Sequence, residues 1–207
     1  MKRSTLLLIL VIGALISGGL YYRYHGEETD ERGATKLMQA LEQEEQLTKE
    51  TARLIKRSDD VNERDLSGQT ALFYAARHAK DPRAVRDLMA AGADAYITDN
   101  AGRTALMNAA QYNPSVKVVE ELVKNASHVN LQDNAGETAL LLAAKNNTAD
   151  VIKVLLRAKA NPDIAGPDGK TPAQKLAENE KLTAEEKTDY RQAMLVLSIL
   201  QPQHLEQ

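Results

Sequence analysis

A short sequence occurs four times along this chain at almost constant spacing. "GQTALFYAA" begins at Gly68, "GRTALMNAA" at Gly102, "GETALLLAA" at Gly136 and "GKTPAQKLA" at Gly169. The intervals between these glycines are 34, 34 and 33 residues. A fixed period of this size is typical of stacked supersecondary units, because one unit cannot bury its apolar surface alone.

Each full copy carries the signals of a turn that leads into a helix. An aspartate lies three residues before the glycine, where its carboxylate can accept bonds from local amides while the glycine adopts a positive φ. A threonine lies two residues after the glycine, at the position of a helix N-cap. These residues are Asp65, Asp99 and Asp133, and Thr70, Thr104 and Thr138.

Two helices are expected in each unit. The first contains a leucine and an alanine pair, and small residues let neighbouring helices approach closely. The second carries aliphatic residues at helical spacing, such as Val85, Leu88 and Met89 in the first full copy. The sequence therefore predicts an all-α solenoid of stacked helix-turn-helix units joined by short hairpin loops.

The turn, the Gly-x-Thr-x-Leu sequence, the alanine pair and the second aliphatic helix together resemble the ankyrin repeat. The resemblance covers about Asp65 to Ala177 and implies an ankyrin-repeat solenoid that binds proteins. A degenerate capping repeat is expected before it and a polar capping repeat after it, since terminal repeats need a soluble outer face. The predicted boundaries are 35–64 for the N-terminal cap, 65–98, 99–132 and 133–165 for the full repeats, and 166–202 for the C-terminal cap.

Two departures from the ankyrin pattern affect the expected packing. Phe73, Met107 and Leu141 stand where the family usually has a histidine, so apolar packing is expected to replace a hydrogen bond between repeats. Ala126 and Lys159 stand where a glycine would end the second helix. They are expected to cost stability if the backbone there is left-handed.

The chain begins with an apolar segment. An uncharged stretch of 18 residues runs from Thr5 to Tyr22 after Lys2 and Arg3, and as a helix it would extend roughly 27 Å, close to the thickness of a bilayer. We expect a transmembrane signal anchor at 1–22 and a solvated tether at 23–34. A cleaved secretory signal is the alternative, and it leaves a soluble chain.

The short basic leader favours a cytoplasmic amino terminus and export of the remaining chain. The expected location is therefore a bacterial inner membrane, crossed once, with the repeats in the periplasm. If the signal is cleaved, the protein is instead soluble in the periplasm or secreted.

Neither composition nor motifs point to an enzyme. The chain has no cysteine, its four histidines are scattered, and its glycines form neither a phosphate loop nor a dinucleotide fingerprint. We therefore expect no catalytic site, no cofactor and no metal. The net charge of −3 gives no general attraction to nucleic acid.

What remains is a surface for another protein. The predicted function is a membrane-tethered module for protein–protein interaction with a periplasmic or membrane protein. The alternative is a soluble exported accessory that helps an enzyme to fold or inhibits it. The resemblance implies that the hairpin tips and the first helices bind the partner through Leu66, Gln69, Tyr74, Arg77, His78, Asn100, Arg103, Asn108, Gln111, Tyr112, Asn134, Glu137, Lys145 and Asn146.

Overall fold

A computed structural model describes residues 29–43, 47–58, 60–125 and 129–200. These ranges contain helices and turns and no strand, which confirms the predicted all-α class for this part of the chain. None of the helices within them combines the length and apolar character needed to cross a membrane. The predicted anchor at 1–22 lies outside the described residues.

The helices follow one another in pairs, and each pair forms one unit. The first helices are α1 (Lys36–Gln43), α3 (Ala71–His78), α5 (Ala105–Tyr112), α7 (Ala139–Asn146) and α9 (Pro172–Lys175), the last followed by a 3-10 turn at Leu176–Glu178. The second helices are α2 (Lys49–Arg57), α4 (Pro82–Ala90), α6 (Val116–Asn125), α8 (Ala149–Arg157) and α10 (Ala184–Leu200).

Helices of the same kind stack on each other. First helices contact the first helices of adjacent units, and second helices contact second helices. Helices α3, α5 and α7 are buried over most of their length, because alanine pairs such as Ala143 and Ala144 let them approach closely. The second helices bury only one face, which Val85 and Leu88 form in α4.

The apolar residues at the family's histidine position are buried in this stack. Phe73, Met107 and Leu141 are each about 1% exposed. Phe73 and Met107 belong to the hydrophobic core of the stack, as the sequence predicted, while Leu141 is buried outside that cluster. The expected strain at Lys159 is also present, since its φ is 64°, while Ala126 lies outside the described residues.

The turns form a second stacked row. In the turns that begin at Asp30, Asp65, Asp99 and Asp133, one aspartate oxygen accepts two backbone amides; for Asp99 these are the amides of Ala101 and Arg103, both at 2.9 Å. Neighbouring turns are joined by backbone bonds of 2.9 Å. These bonds run from the amides of Leu66, Asn100 and Asn134 to the carbonyls of Arg32, Ser67 and Ala101, respectively.

A further turn precedes the predicted repeats. Asp30 accepts the amides of Arg32 and Ala34 at 2.9 Å, and Gly33 has a φ of 75°. The segment 30–35 therefore has the same turn as the later units, and it does not belong to the solvated tether predicted at 23–34. The reason is local: its Asp-x-x-Gly-x-Thr sequence makes the same bonds one period before Asp65.

A row of buried asparagines connects the units, although the repeat pattern gave no sign of it. Asn147 donates from Nδ2 to the carbonyls of Ala110 and Asn113, both at 2.9 Å. In the same way, Nδ2 of Asn113 donates to the carbonyls of Ala76 and Ala79. Nδ2 of Asn179 donates to the carbonyls of Ala144 and Asn147. Each asparagine thus bonds otherwise unpaired carbonyls at the end of the first helix in the preceding unit.

Candidate functional site

Side chains from the turns and from the first helices meet on one side of the stack, which we call the turn-helix face. Arg103 in its turn donates from Nη1 to Oε1 of Gln111 in α5 at 2.9 Å. Lys170 in the last turn bonds Glu178 at the end of the α9 segment. This face therefore presents a row of polar groups with contributions from several units.

A pocket of about 220 Å³ opens on this face between the first two units. Both the turns and the helices α1 and α3 contribute to its wall. The lining residues are Arg32, Glu42, Asp65, Ser67, Gln69, Phe73, Tyr74, Arg77 and His78.

A two-point ion pair forms one wall of the pocket. The guanidinium of Arg32 donates from Nη1 to Oε1 of Glu42 at 3.1 Å and from Nη2 to Oε2 at 2.8 Å. It also contacts Asp30 at 3.0 Å. The hydrogen bonds from Arg32 lower the pKa of Glu42, so this carboxylate is charged and fully paired at neutral pH.

A buried hydrogen bond between Tyr74 and Asp65 also lines the pocket. The hydroxyl of Tyr74 donates to Oδ2 of Asp65 at 2.8 Å. Burial raises the pKa of Tyr74, and the bond to Asp65 raises it further, so the phenol stays protonated as the donor. The carboxylate of Asp65 is thereby held by its turn and by α3 together.

His78 and Arg77 line the mouth of the pocket. Burial lowers the pKa of His78, and the charge of Arg77 lowers it further, while Glu42 acts in the opposite direction. The imidazole is therefore neutral at neutral pH. The guanidinium of Arg77 lies 4.2 Å from the centre of the Tyr112 ring, a cation–π contact that joins the second unit to the third.

A second polar cluster joins the third and fourth units. Arg103 donates from Nε to Oδ2 of Asp133 at 3.1 Å and lies 3.6 Å from the carboxylate of Glu137. The carboxylate side chain of Asp133 is only 2% exposed, so the cation that pairs with it has a structural role.

Most of the predicted partner-binding residues do lie at the surface. Leu66 is 60% exposed and Tyr112 42% exposed, and Arg77 and Lys145 are exposed as well. The half-buried members are Gln69, His78, Arg103, Gln111, Glu137 and Asn146. Asn100 and Asn134 are exposed, but their side-chain amides bond the carbonyls of Leu66 and Asn100 in the preceding turn.

Two predicted residues are interior. Tyr74 is 7% exposed because its ring folds onto the turn and its hydroxyl bonds Asp65. Asn108 is 3% exposed because its shorter side chain lies between stacked first helices, and its Nδ2 has no hydrogen-bond partner among the described residues. Both side chains are therefore largely covered by the chain itself, and Tyr74 reaches solvent as part of the pocket wall.

The structure also adds site residues that sequence reasoning missed. Arg32 and Glu42 belong to the segment assigned to the tether and the capping repeat, yet they form a wall of the pocket. The signal that could have identified them is the turn sequence beginning at Asp30, 35 residues before Asp65. Among the described residues, no group of three or more histidine, aspartate or glutamate side chains could hold a metal ion.

Comparison with known families agrees with this architecture. Residues 72–168 match the family model for ankyrin repeats, with three copies. The chain contains ankyrin repeats. Ankyrin repeats are in general a non-enzymatic fold for protein–protein interaction. No curated protein shows significant similarity to the chain.

The matched span begins in α3 and ends in the turn before α9, so it covers the three central units. The unit formed by α1 and α2 lies before this span, and its likeness to an ankyrin repeat rests on the turn at 30–35 and on the stacking of α1 against α3.

Proposed function

We propose that the ankyrin-repeat domain binds another protein through its turn-helix face. The observation that carries this proposal is the continuous row of turn and first-helix side chains on this face, held in place by bonds within the chain. Leu66 and Tyr112 form its exposed apolar and aromatic part, and the cationic Arg77 lies against the Tyr112 ring.

The fixed geometry of the face favours binding. The backbone bonds between turns and the buried asparagines restrain each unit against the next. A surface that is already ordered loses little conformational freedom when a partner binds. Tyrosine and arginine side chains often supply a large share of interface energy, and the stacked pair of Arg77 and Tyr112 offers both.

The proposal includes a membrane tether. The uncharged stretch from Thr5 to Tyr22 has the length of a membrane-spanning helix and follows a short basic leader, which supports a single-pass anchor with the repeats in the bacterial periplasm. Anchoring would raise the effective concentration of the domain toward other proteins at the same membrane.

Crosslinking of the native protein in intact cells tests both parts of this proposal. Mass spectrometry would identify the captured protein and the amino-terminal peptide of the chain. We expect one dominant captured protein and a peptide in which the stretch from Thr5 to Tyr22 is intact. Many weak contacts would contradict the binding role, and a chain that begins after this stretch would contradict the tether.

A further inference from the structure

The pocket between the first two units has an unequal supply of free acceptors and free donors. Both of its carboxylates are already satisfied. The two oxygens of Glu42 accept bonds from Arg32, and the two oxygens of Asp65 accept two backbone amides and the hydroxyl of Tyr74. Both carboxylates keep their negative charge, but none of their oxygens is left without a hydrogen-bond donor.

The unused groups are mostly donors. Within the described residues, the hydroxyl of Ser67, the side-chain amide of Gln69 and the ring of His78 have no hydrogen-bond partner. The guanidinium of Arg77 has no carboxylate partner there either. Ser67, Gln69 and His78 can each accept as well as donate, whereas the guanidinium of Arg77 can only donate, so a group that pairs with Arg77 must supply an acceptor.

The position of Arg77 suits such a ligand. Its guanidinium lies 4.2 Å from the centre of the Tyr112 ring, and a guanidinium in such a contact still has N–H edges that other acceptors can reach. A carboxylate can accept two parallel N–H bonds from such an edge. Arg103, one unit further along, differs because Asp133 and Glu137 already neutralise it.

We propose that this pocket receives the carboxylate of an aspartate or glutamate side chain on an extended segment of the partner protein. This inference rests on the proposed function and names the chemistry of the partner at one position. Arg77 would bind the carboxylate, while Ser67 and Gln69 would donate from the rim. A single charge is favoured over a doubly charged group, because Arg32 is already paired with Glu42 and Asp30.

An extended segment fits because the pocket opens onto the rest of the turn-helix face. Beyond Arg77, the exposed ring of Tyr112 and the half-buried side chain of Gln111 continue the surface into the third unit. A chain passing along this row could place one acidic side chain in the pocket while its neighbours contact the aromatic ring.

Selection of peptides from a random displayed library on the full chain tests this proposal. The selected peptides would be synthesised, and their affinities measured by fluorescence anisotropy against the wild type, R77Q and K117Q. Lys117 is an exposed residue of α6 in the second-helix row, so K117Q is a control that removes the same charge elsewhere.

We expect the peptides to share an acidic residue. Loss of a charge-assisted pair should weaken binding to R77Q by about tenfold or more, while K117Q should change it by less than about twofold. Replacement of the shared acidic residue by its amide should weaken binding to the wild type and have little further effect on R77Q. If R77Q shifts the unfolding midpoint, S67A, which loses only a hydroxyl, should still weaken binding a few fold.

Three outcomes would overturn the inference: peptides without a shared acidic residue, peptides that bind R77Q and K117Q equally, or no selected peptide. The first two would leave the proposed function intact, because the peptides would still bind the chain. The cellular crosslinking experiment judges that function separately.

Discussion

Replacement of Asn147 by alanine tests whether the buried asparagines hold adjacent units together. Asn147 is fully buried, and its amide joins the fourth unit to the third through the carbonyls of Ala110 and Asn113. Its Oδ1 also accepts the amide of Thr148 at 2.8 Å, at the start of α8. The substitution therefore removes three close hydrogen bonds and leaves their partners in the interior.

The magnitude follows from these three bonds. Each hydrogen bond contributes about 1 kcal/mol net, and a buried group left without a partner costs about 1–3 kcal/mol. A fourth, longer bond from Asn147 to the carbonyl of Ala109, at 3.3 Å, adds little, because this carbonyl also accepts the backbone amide of Asn113 at 2.9 Å. We therefore expect N147A to lower the free energy of unfolding by about 2–4 kcal/mol.

Asn146 provides the matched control. It precedes Asn147 in the sequence, is half-buried, and donates only to the carbonyl of Leu142 in its own helix at 3.1 Å. N146A should lower the free energy of unfolding by less than about 1 kcal/mol.

Urea denaturation followed by circular dichroism at the helix band would compare the two variants, with the slope of each transition checked against wild type. A loss below about 1 kcal/mol for N147A, or equal losses for the two variants, would refute the reasoning. Either result would show that the row of buried asparagines contributes little to the stability of the contacts between units.

Three further substitutions test other features of the fold. G102A should lower the free energy of unfolding by about 1–2 kcal/mol more than G136A in urea denaturation. Both glycines have a positive φ, but only at Gly102 would an added Cβ meet the backbone nitrogen of Asn134, at 2.9 Å. Equal losses in the two variants would contradict this reasoning. K159G should raise the free energy of unfolding by up to about 1 kcal/mol, because glycine adopts the left-handed backbone conformation of Lys159 without strain, whereas K159A should give no such gain. A lower free energy of unfolding for K159G would show that the lysine backbone is not strained. Because the pKa of His78 is lower in the folded chain, the unfolded chain binds a proton at this histidine more readily, and the free energy of unfolding should fall as pH falls from 6.5 through the folded pKa. H78Q should lose this part of the pH dependence, as measured by urea denaturation at several pH values. A pH profile identical to that of the wild type would contradict the reasoning.

The sequence was sufficient to predict the repeated architecture. The sequence signals for the turns and helix starts are local, and the structure has a turn or a helix start where each signal occurs. These signals are the aspartate turns, the positive-φ glycines and the threonine N-caps, repeated at a constant period. The side chain of Thr70 is an exception, because it occupies the N-cap position but its buried hydroxyl has no partner among the described residues.

The connections between units could not be predicted in the same way. Asn113 and Asn147 follow a helix, where an asparagine is an ordinary turn residue, and only the stacked structure shows their amides bonding the preceding unit. The turn at Asp30 was missed because charged residues surround it and no strong aliphatic pattern accompanies it.

The candidate site was predicted as a face but not residue by residue. The repeat pattern gives the position of a side chain on its helix, but it does not show which other groups that side chain is long enough to reach. Tyr74 is long enough to reach Asp65 in its own turn and becomes buried, whereas Tyr112 stays on the surface beneath Arg77.

Site-specific photo-crosslinking in intact cells tests the central claim most directly. A photoreactive amino acid would replace Lys145 on the turn-helix face in one variant and Lys117 on the second-helix row in the other, since both lysines are exposed. A partner bound through the turn-helix face should crosslink to position 145 and not to position 117. A crosslinked protein at position 117 alone, or in equal amounts at both positions, would contradict the account.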